Sequence, residues 1–94
     1  MPGYNRAELS AELTIVPSQE GEENPQAQIE AGQQAASASG LAHEAGPESM
    51  VLAGGRSEVL EAVSQVIEAS LDAGAHTVKV KVEAQEGARK FGGG

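Results

Sequence analysis

Residues 47–82 read PESMVLAGGRSEVLEAVSQVIEASLDAGAHTVKVKV, and this stretch decides the fold. Gly46-Pro47 makes a turn, and Ser49 to Ala53 follows as an extended segment that Gly54-Gly55 breaks. Ser57 is expected to cap a helix, with Glu58 and Glu61 in the first turn, where the helix dipole favours negative charge. Val59, Leu60, Val63, Val66, Ile67 and Leu71 recur at the i, i+3, i+4, i+7 spacing of one helical face. Glu61, Ser64, Gln65, Glu68 and Asp72 take the opposite face, and Gly74 ends the helix. Val78, Val80, Val82 and Ala84 then alternate with Thr77, Lys79, Lys81 and Glu83, the period of two that marks a strand.

Upstream, the same logic runs from Leu9. Leu9, Ala11, Leu13 and Ile15 point one way while Ser10, Glu12, Thr14 and Val16 point the other, a half-buried strand stopped by Pro17. An acidic loop, SQEGEE, follows. Asn24-Pro25 opens a helix that runs to about Ser39 and ends at Gly40. Asn can cap the free amides, and proline loses no hydrogen bond at the first helical position. Ile29 is its only large aliphatic residue, with Ala27, Ala31, Gly32, Ala35, Ala36 and Ala38 filling the rest of the apolar side. Small residues permit close approach but add little burial. Leu41 to Ala45 forms a short strand, with His43 expected on the same side as Leu41 and Ala45.

The element order is therefore βαββαβ. Right-handed crossovers fold that order into an α+β ferredoxin-like sandwich, a four-stranded antiparallel sheet with both helices on one face. The first and third strands are then central and the last lies beside the first. Glu12 and Thr14 consequently neighbour Lys79 and Lys81 on the helix-free face. Residues 1–8 are expected to form a flexible leader, 9–84 a single domain, and 85–94 a polar, glycine-rich, disordered tail.

Composition narrows the function classes. The chain has 94 residues, no cysteine, one Tyr and one Phe, so a core of Val, Leu, Ile and Ala must serve one small domain. Such a thin core favours burial against a second copy. Fourteen acidic residues against six Lys and Arg give a net charge of −8, which repels phosphate backbones and argues against nucleic-acid binding. No apolar run reaches the roughly 18 residues of a membrane span, so a cytoplasmic protein without membrane contact is expected. Disulfides, thiolate metal sites and cysteine nucleophiles are excluded. The two histidines lack carboxylates at ligand spacing, and no Ser–His–Asp set or cofactor fingerprint is visible, so neither a metal, a cofactor nor an enzyme is expected.

With the order established, the chain resembles the thiamine-binding-protein family of small ferredoxin-like domains. The resemblance rests on Ile15-Val16-Pro17 at the first strand end and on Pro47 followed by Val51, Leu52 and Gly54. It continues through Ser57-Glu58-Val59-Leu60-Glu61, Ala73-Gly74-Ala75 at the helix end, and the valine strand. It implies a homo-oligomer, usually a tetramer, whose domains pair their sheets. It also implies, for some members, a pocket for thiamine or its pyrimidine moiety near that sheet, with no reaction catalysed. The chain departs from the family pattern at Glu48-Ser49-Met50, where Met-Gly-Thr is usual, and at Ala53, where a glutamate is usual.

Glu12, Thr14, His43, Ser49, Met50 and Lys79 are the candidate ligand-binding residues. An aminopyrimidine needs fixed donors and acceptors, and a thiazolium cation needs carboxylate or aromatic partners. Each has a plainer reading. His43 can be an exposed strand histidine, Met50 a packing residue, and Glu12 with Lys79 and Lys81 a cross-strand ion pair or part of a sheet interface. Gly54-Gly55-Arg56-Ser57 can face an anion at a helix start but lacks the pattern of a phosphate loop, and a turn explains it. The alternative to a binding protein is an assembly module that keeps the fold and has lost the pocket. Gly92-Gly93-Gly94 resembles the end of ubiquitin-like carriers, whose ββαββ grasp does not fit two long helices.

Overall fold

The computed structural model describes residues 8–19 and 24–84. Apart from Glu8, the leader lies outside the described residues, as does the tail over 85–94. The elements are β1 (Leu9–Val16), α1 (Pro25–Ser39), β2 (Ala42–Ala45), β3 (Ser49–Gly54), α2 (Arg56–Asp72) and β4 (Thr77–Ala84). The four strands form one antiparallel sheet in the order β2-β3-β1-β4, the ferredoxin-like arrangement expected from the element order.

Alternation along β1 sets which face is packed. Leu9, Ala11, Leu13 and Ile15 are buried under the helices, and their register partners share that side. Met50 and Leu52 of β3 lie opposite Leu13 and Ala11, as do Val80 and Val82 of β4. Ile29 and Ala36 of α1, with Val59, Ala62, Val63 and Val66 of α2, complete the core.

Helix α1 forms as its ends dictate. Asn24 Oδ1 accepts a hydrogen bond from Ala27 N at 2.7 Å, Pro25 opens the first turn, and Gly40 closes the last in the left-handed region at φ 78°. Two features let this poorly apolar helix dock. Gly32 lies so close to Ile15 Cδ1 and Ser70 Oγ that a Cβ there would collide with both. Gln28 is fully buried: its Nε2 donates to Ser18 O at 3.0 Å and its Oε1 accepts from Ser18 N at 2.8 Å. That pair ties the chain leaving β1 to the helix, and a doubly bonded amide is tolerated in the interior where a lone one would not be.

Helix α2 departs from expectation at both its start and its flank. Strand β3 runs on through Gly54, which leaves only Gly55 between strand and helix. Gly55, not Ser57, is the N-cap, and it offers no side-chain hydrogen bond. Glu8 Oε1 instead accepts from Arg56 N at 3.0 Å, while Glu8 N donates to Gly54 O at 3.0 Å. Along the helix, Ala62 and Ser70 are buried, whereas Leu60 and Leu71 remain 46% and 49% exposed. Val59, Val63 and Val66 centre the buried stripe, so Leu60 and Leu71 fall on the flank turned away from α1. Ser70 Oγ satisfies itself within the helix by donating to Val66 O at 2.8 Å. At the C-terminus Gly74 takes φ 107°, and Ala75 N reaches back to Ser70 O at 3.0 Å, which closes the helix with a glycine-dependent turn.

Candidate functional site

The helix-free face of the sheet is built in rows set by the register. Thr14 is flanked by Ser49 on β3 and Lys79 on β4; Glu12 by Val51 and Lys81; Ser10 by Ala53 and Glu83. Strand alternation gives each row its direction, because directly opposed residues in an antiparallel sheet point to the same side. Thr14, Ser49 and Val51 are half-buried, while Glu12 and Lys79 are exposed. This face therefore presents two hydroxyls, a carboxylate and an ammonium around a small apolar patch. The ion pair within reach is Lys81 Nζ to Glu83 Oε2 at 3.7 Å, along one strand, although the register places Lys81 opposite Glu12.

The turn that carries Ser49 is held from the helix side. Gln33 Nε2 donates to Gly46 O at 3.0 Å, and Gly46 N donates to Ser49 O at 2.9 Å. The position of Ser49 beside Thr14 thus depends on an α1 side chain that nothing in the sequence pattern singles out. Ile15 N also donates to Glu48 O at 2.8 Å, which extends the β1–β3 pairing into the turn.

The six candidate residues divide between two places. Glu12, Thr14, Ser49 and Lys79 share the open face. Met50 points the other way and is 1% exposed, a core residue beneath α1. His43 does not follow simple alternation with Leu41 and Ala45. Between Ala42 and Glu44 the register shifts, so Ala42 opposes Leu52 and Ala45 opposes Met50, both on the helix side, and His43 occupies the irregularity. It lines a groove of about 340 Å³ between α1 and β2, together with Gln33, Ser37, Glu44 and Met50. A second groove, about 270 Å³, opens between the C-terminus of α1 and the first half of α2; Glu58 and Glu61 give it an acidic lip. Among the described residues no cluster of His, Asp and Glu could hold a metal ion, and no helix is long and apolar enough to cross a membrane.

Topology and site together define an α+β domain of the ferredoxin-like class, with one sheet face covered by helices and the other left open and polar. The chain belongs to the thiamine-binding protein family, whose model matches residues 11–90. Among solved structures it is similar to one described as a "domain of unknown function DUF77 from Bacillus cereus". The two share 21% sequence identity over 82% of this chain and 73% of that one, with a TM-score of 0.65, which establishes the shared fold. A search of curated proteins finds no match.

Proposed function

We propose that this chain is a non-catalytic small-molecule-binding protein that takes thiamine or a related pyrimidine-type metabolite and acts as a homo-oligomer, with a tetramer favoured. The observation that carries this reading is the convergence of Glu12, Thr14, Ser49 and Lys79 on one helix-free face. Thr14 and Ser49 are direct partners across β1 and β3, so their hydroxyls can serve as donor and acceptor to an aminopyrimidine edge. The Glu12 carboxylate supplies the negative charge that a thiazolium cation requires, and Lys79 can donate to a ring nitrogen. An open sheet face is too flat to enclose such a ligand alone. A second sheet stacked on it would complete the pocket and place the ligand at a subunit boundary.

Calorimetric titration with thiamine and with its hydroxymethylpyrimidine fragment tests the proposal. Saturable heat is expected for the native chain and a loss of at least tenfold in affinity for the Thr14→Val, Ser49→Ala double variant. Absence of heat at millimolar ligand would remove it.

One observation favours a second reading, an assembly module of the same fold without a pocket. Met50 is turned into the core, and Ala53 contributes only a methyl group to the open face opposite Ser10. Those are two of the positions at which the chain departs from the family pattern. Light scattering that shows a defined oligomer, with no thermal shift from a metabolite panel, would support that reading over the first.

A further inference from the structure

The groove between the C-terminus of α1 and the first half of α2 has a floor and a rim of different character. Leu41 and Ala62 supply its apolar floor, and Glu58 and Glu61 stand beside them at exposed positions of α2. Its volume of about 270 Å³ exceeds the roughly 150 Å³ that admits a benzene ring in a protein interior. Among the described residues neither Glu58 nor Glu61 has an ion-pair partner. The groove therefore offers an apolar seat next to two unpaired carboxylates, which suits a segment that joins cations to an aromatic ring.

One such segment belongs to this chain. Arg89-Lys90 is the only pair of adjacent basic residues in a sequence of net charge −8, and Phe91, one of its two aromatics, follows directly. These residues lie outside the described ones, but the point from which they depart is fixed. Strand β4 ends at Ala84, which is opposite Leu9, and Leu9 is opposite Gly54. Two strand spacings, about 10 Å, separate the end of β4 from Gly54. The groove opens at that same end of the sheet. Leu41 packs over Gly54, its Cδ2 3.1 Å from where a Cβ would stand, and Glu58 folds back over Gly55. Five to seven residues beyond Ala84 span at most about 17 to 25 Å, so Arg89 to Phe91 can reach the groove while β4 stays paired with β1.

We propose that this groove is the docking site of the chain's own segment Ala88–Phe91, with Phe91 against Leu41 and Ala62 and with Arg89 and Lys90 beside Glu58 and Glu61. A short tether holds the segment at a roughly millimolar effective concentration, so two exposed ion pairs and one ring suffice to seat it. Docked there, it neutralises both carboxylates and covers the floor that α1 and α2 leave open. The apolar flank of Leu60, Leu71, Val80 and Val82 could take the ring, but it lies across α2 from the groove and brings neither Glu58 nor Glu61 to the cations. The groove belongs to the helix layer, away from the open sheet face, so the proposal does not depend on the ligand reading.

The full chain has no cysteine, so a nitroxide on Gly93→Cys is a unique reporter of where the segment sits. In nuclear magnetic resonance spectra the amides of Leu41, Glu58 and Ala62 are expected to broaden most. Arg89→Glu with Lys90→Glu, both outside the described residues, should weaken that broadening by roughly fivefold, the worth of two exposed ion pairs. Salt at about 1 M, where the Debye length is about 3 Å, should act in the same direction. Adding Glu58→Lys and Glu61→Lys to the reversed segment should restore the broadening, and this chain should keep its amide dispersion because both glutamates are exposed. In a mixture of nitroxide-bearing chains with unlabelled nitrogen-15 chains, no groove amide should broaden. Broadening centred on Leu60, Val80 and Val82, or none in the groove, would overturn the proposal. So would broadening that survives the reversal, a fourfold exchange that fails to restore it, or its transfer between copies.

Discussion

Helices α1 and α2 lie side by side on one face of the same sheet, yet they are held there by different means. Helix α1 has a single large aliphatic anchor, Ile29, and docks through a glycine and a buried glutamine. Its ends are closed by Asn24 and Gly40. Helix α2 has no side chain at its own N-cap, where Glu8 Oε1 from outside the helix accepts from Arg56 N, but it buries Val59, Val63 and Val66 in one stripe. The difference shows two routes to the same geometry. One relies on close fit and local hydrogen bonds, the other on apolar area, which is where most helical stability in small proteins originates.

The largest expected effect follows from the single anchor. Ile29→Ala should cost about 2–5 kcal/mol by denaturant unfolding, the usual range for emptying a core position. Val66→Ala should cost less, because its neighbours in the α2 stripe share the interface. Equal losses would erase the contrast between the helices.

Close fit predicts the next effect. Gly32→Val places methyl groups against Ile15 and Ser70, and overpacking of this kind costs about 1–3 kcal/mol. Thermal unfolding of this variant should show a lowered midpoint even though valine is more apolar and forms helix more readily than glycine. A gain in stability would mean that α1 can move away from β1 at no cost.

The smallest effect concerns the helix starts. Asn24→Ala should lose about 1 kcal/mol with the Ala27 bond, whereas Gly55→Ser should change stability by only a few tenths. Chemical denaturation of both variants would sharpen the contrast. A large gain from Gly55→Ser would show that α2 is limited by its missing cap.

Much of the fold could be read from the chain because the relevant signals are local. The period-two pattern of β1 and β4, the glycine breaks and the Asn24-Pro25 start all act within a few residues. The candidate site was legible in part. Glu12, Thr14, Ser49 and Lys79 fall on one face once the strand order is known, since register then follows from alternation. His43 escaped that reasoning because the shift between Ala42 and Glu44 breaks the alternation. Ser57 looked like a cap because Ser before Glu and an apolar run is a local signature. The continuation of β3 through Gly54 starts the helix earlier. Gln28 carried no visible sign, since a glutamine on a helix is ordinarily solvated and only its fit to Ser18 makes it a core residue.

Periodicity, capping residues and turn glycines belong to the chain alone, because they reflect steric and hydrogen-bonding preferences over one or two turns. They suffice for six elements and their order. Which apolar residues are covered is decided only when the layers meet. Leu60 and Leu71 fit the helical stripe as well as Val63 does, but α2 packs against α1 and the central strands, and its far flank is left open beside β4. Burial is a property of what stands opposite a side chain, and on that flank the sheet ends.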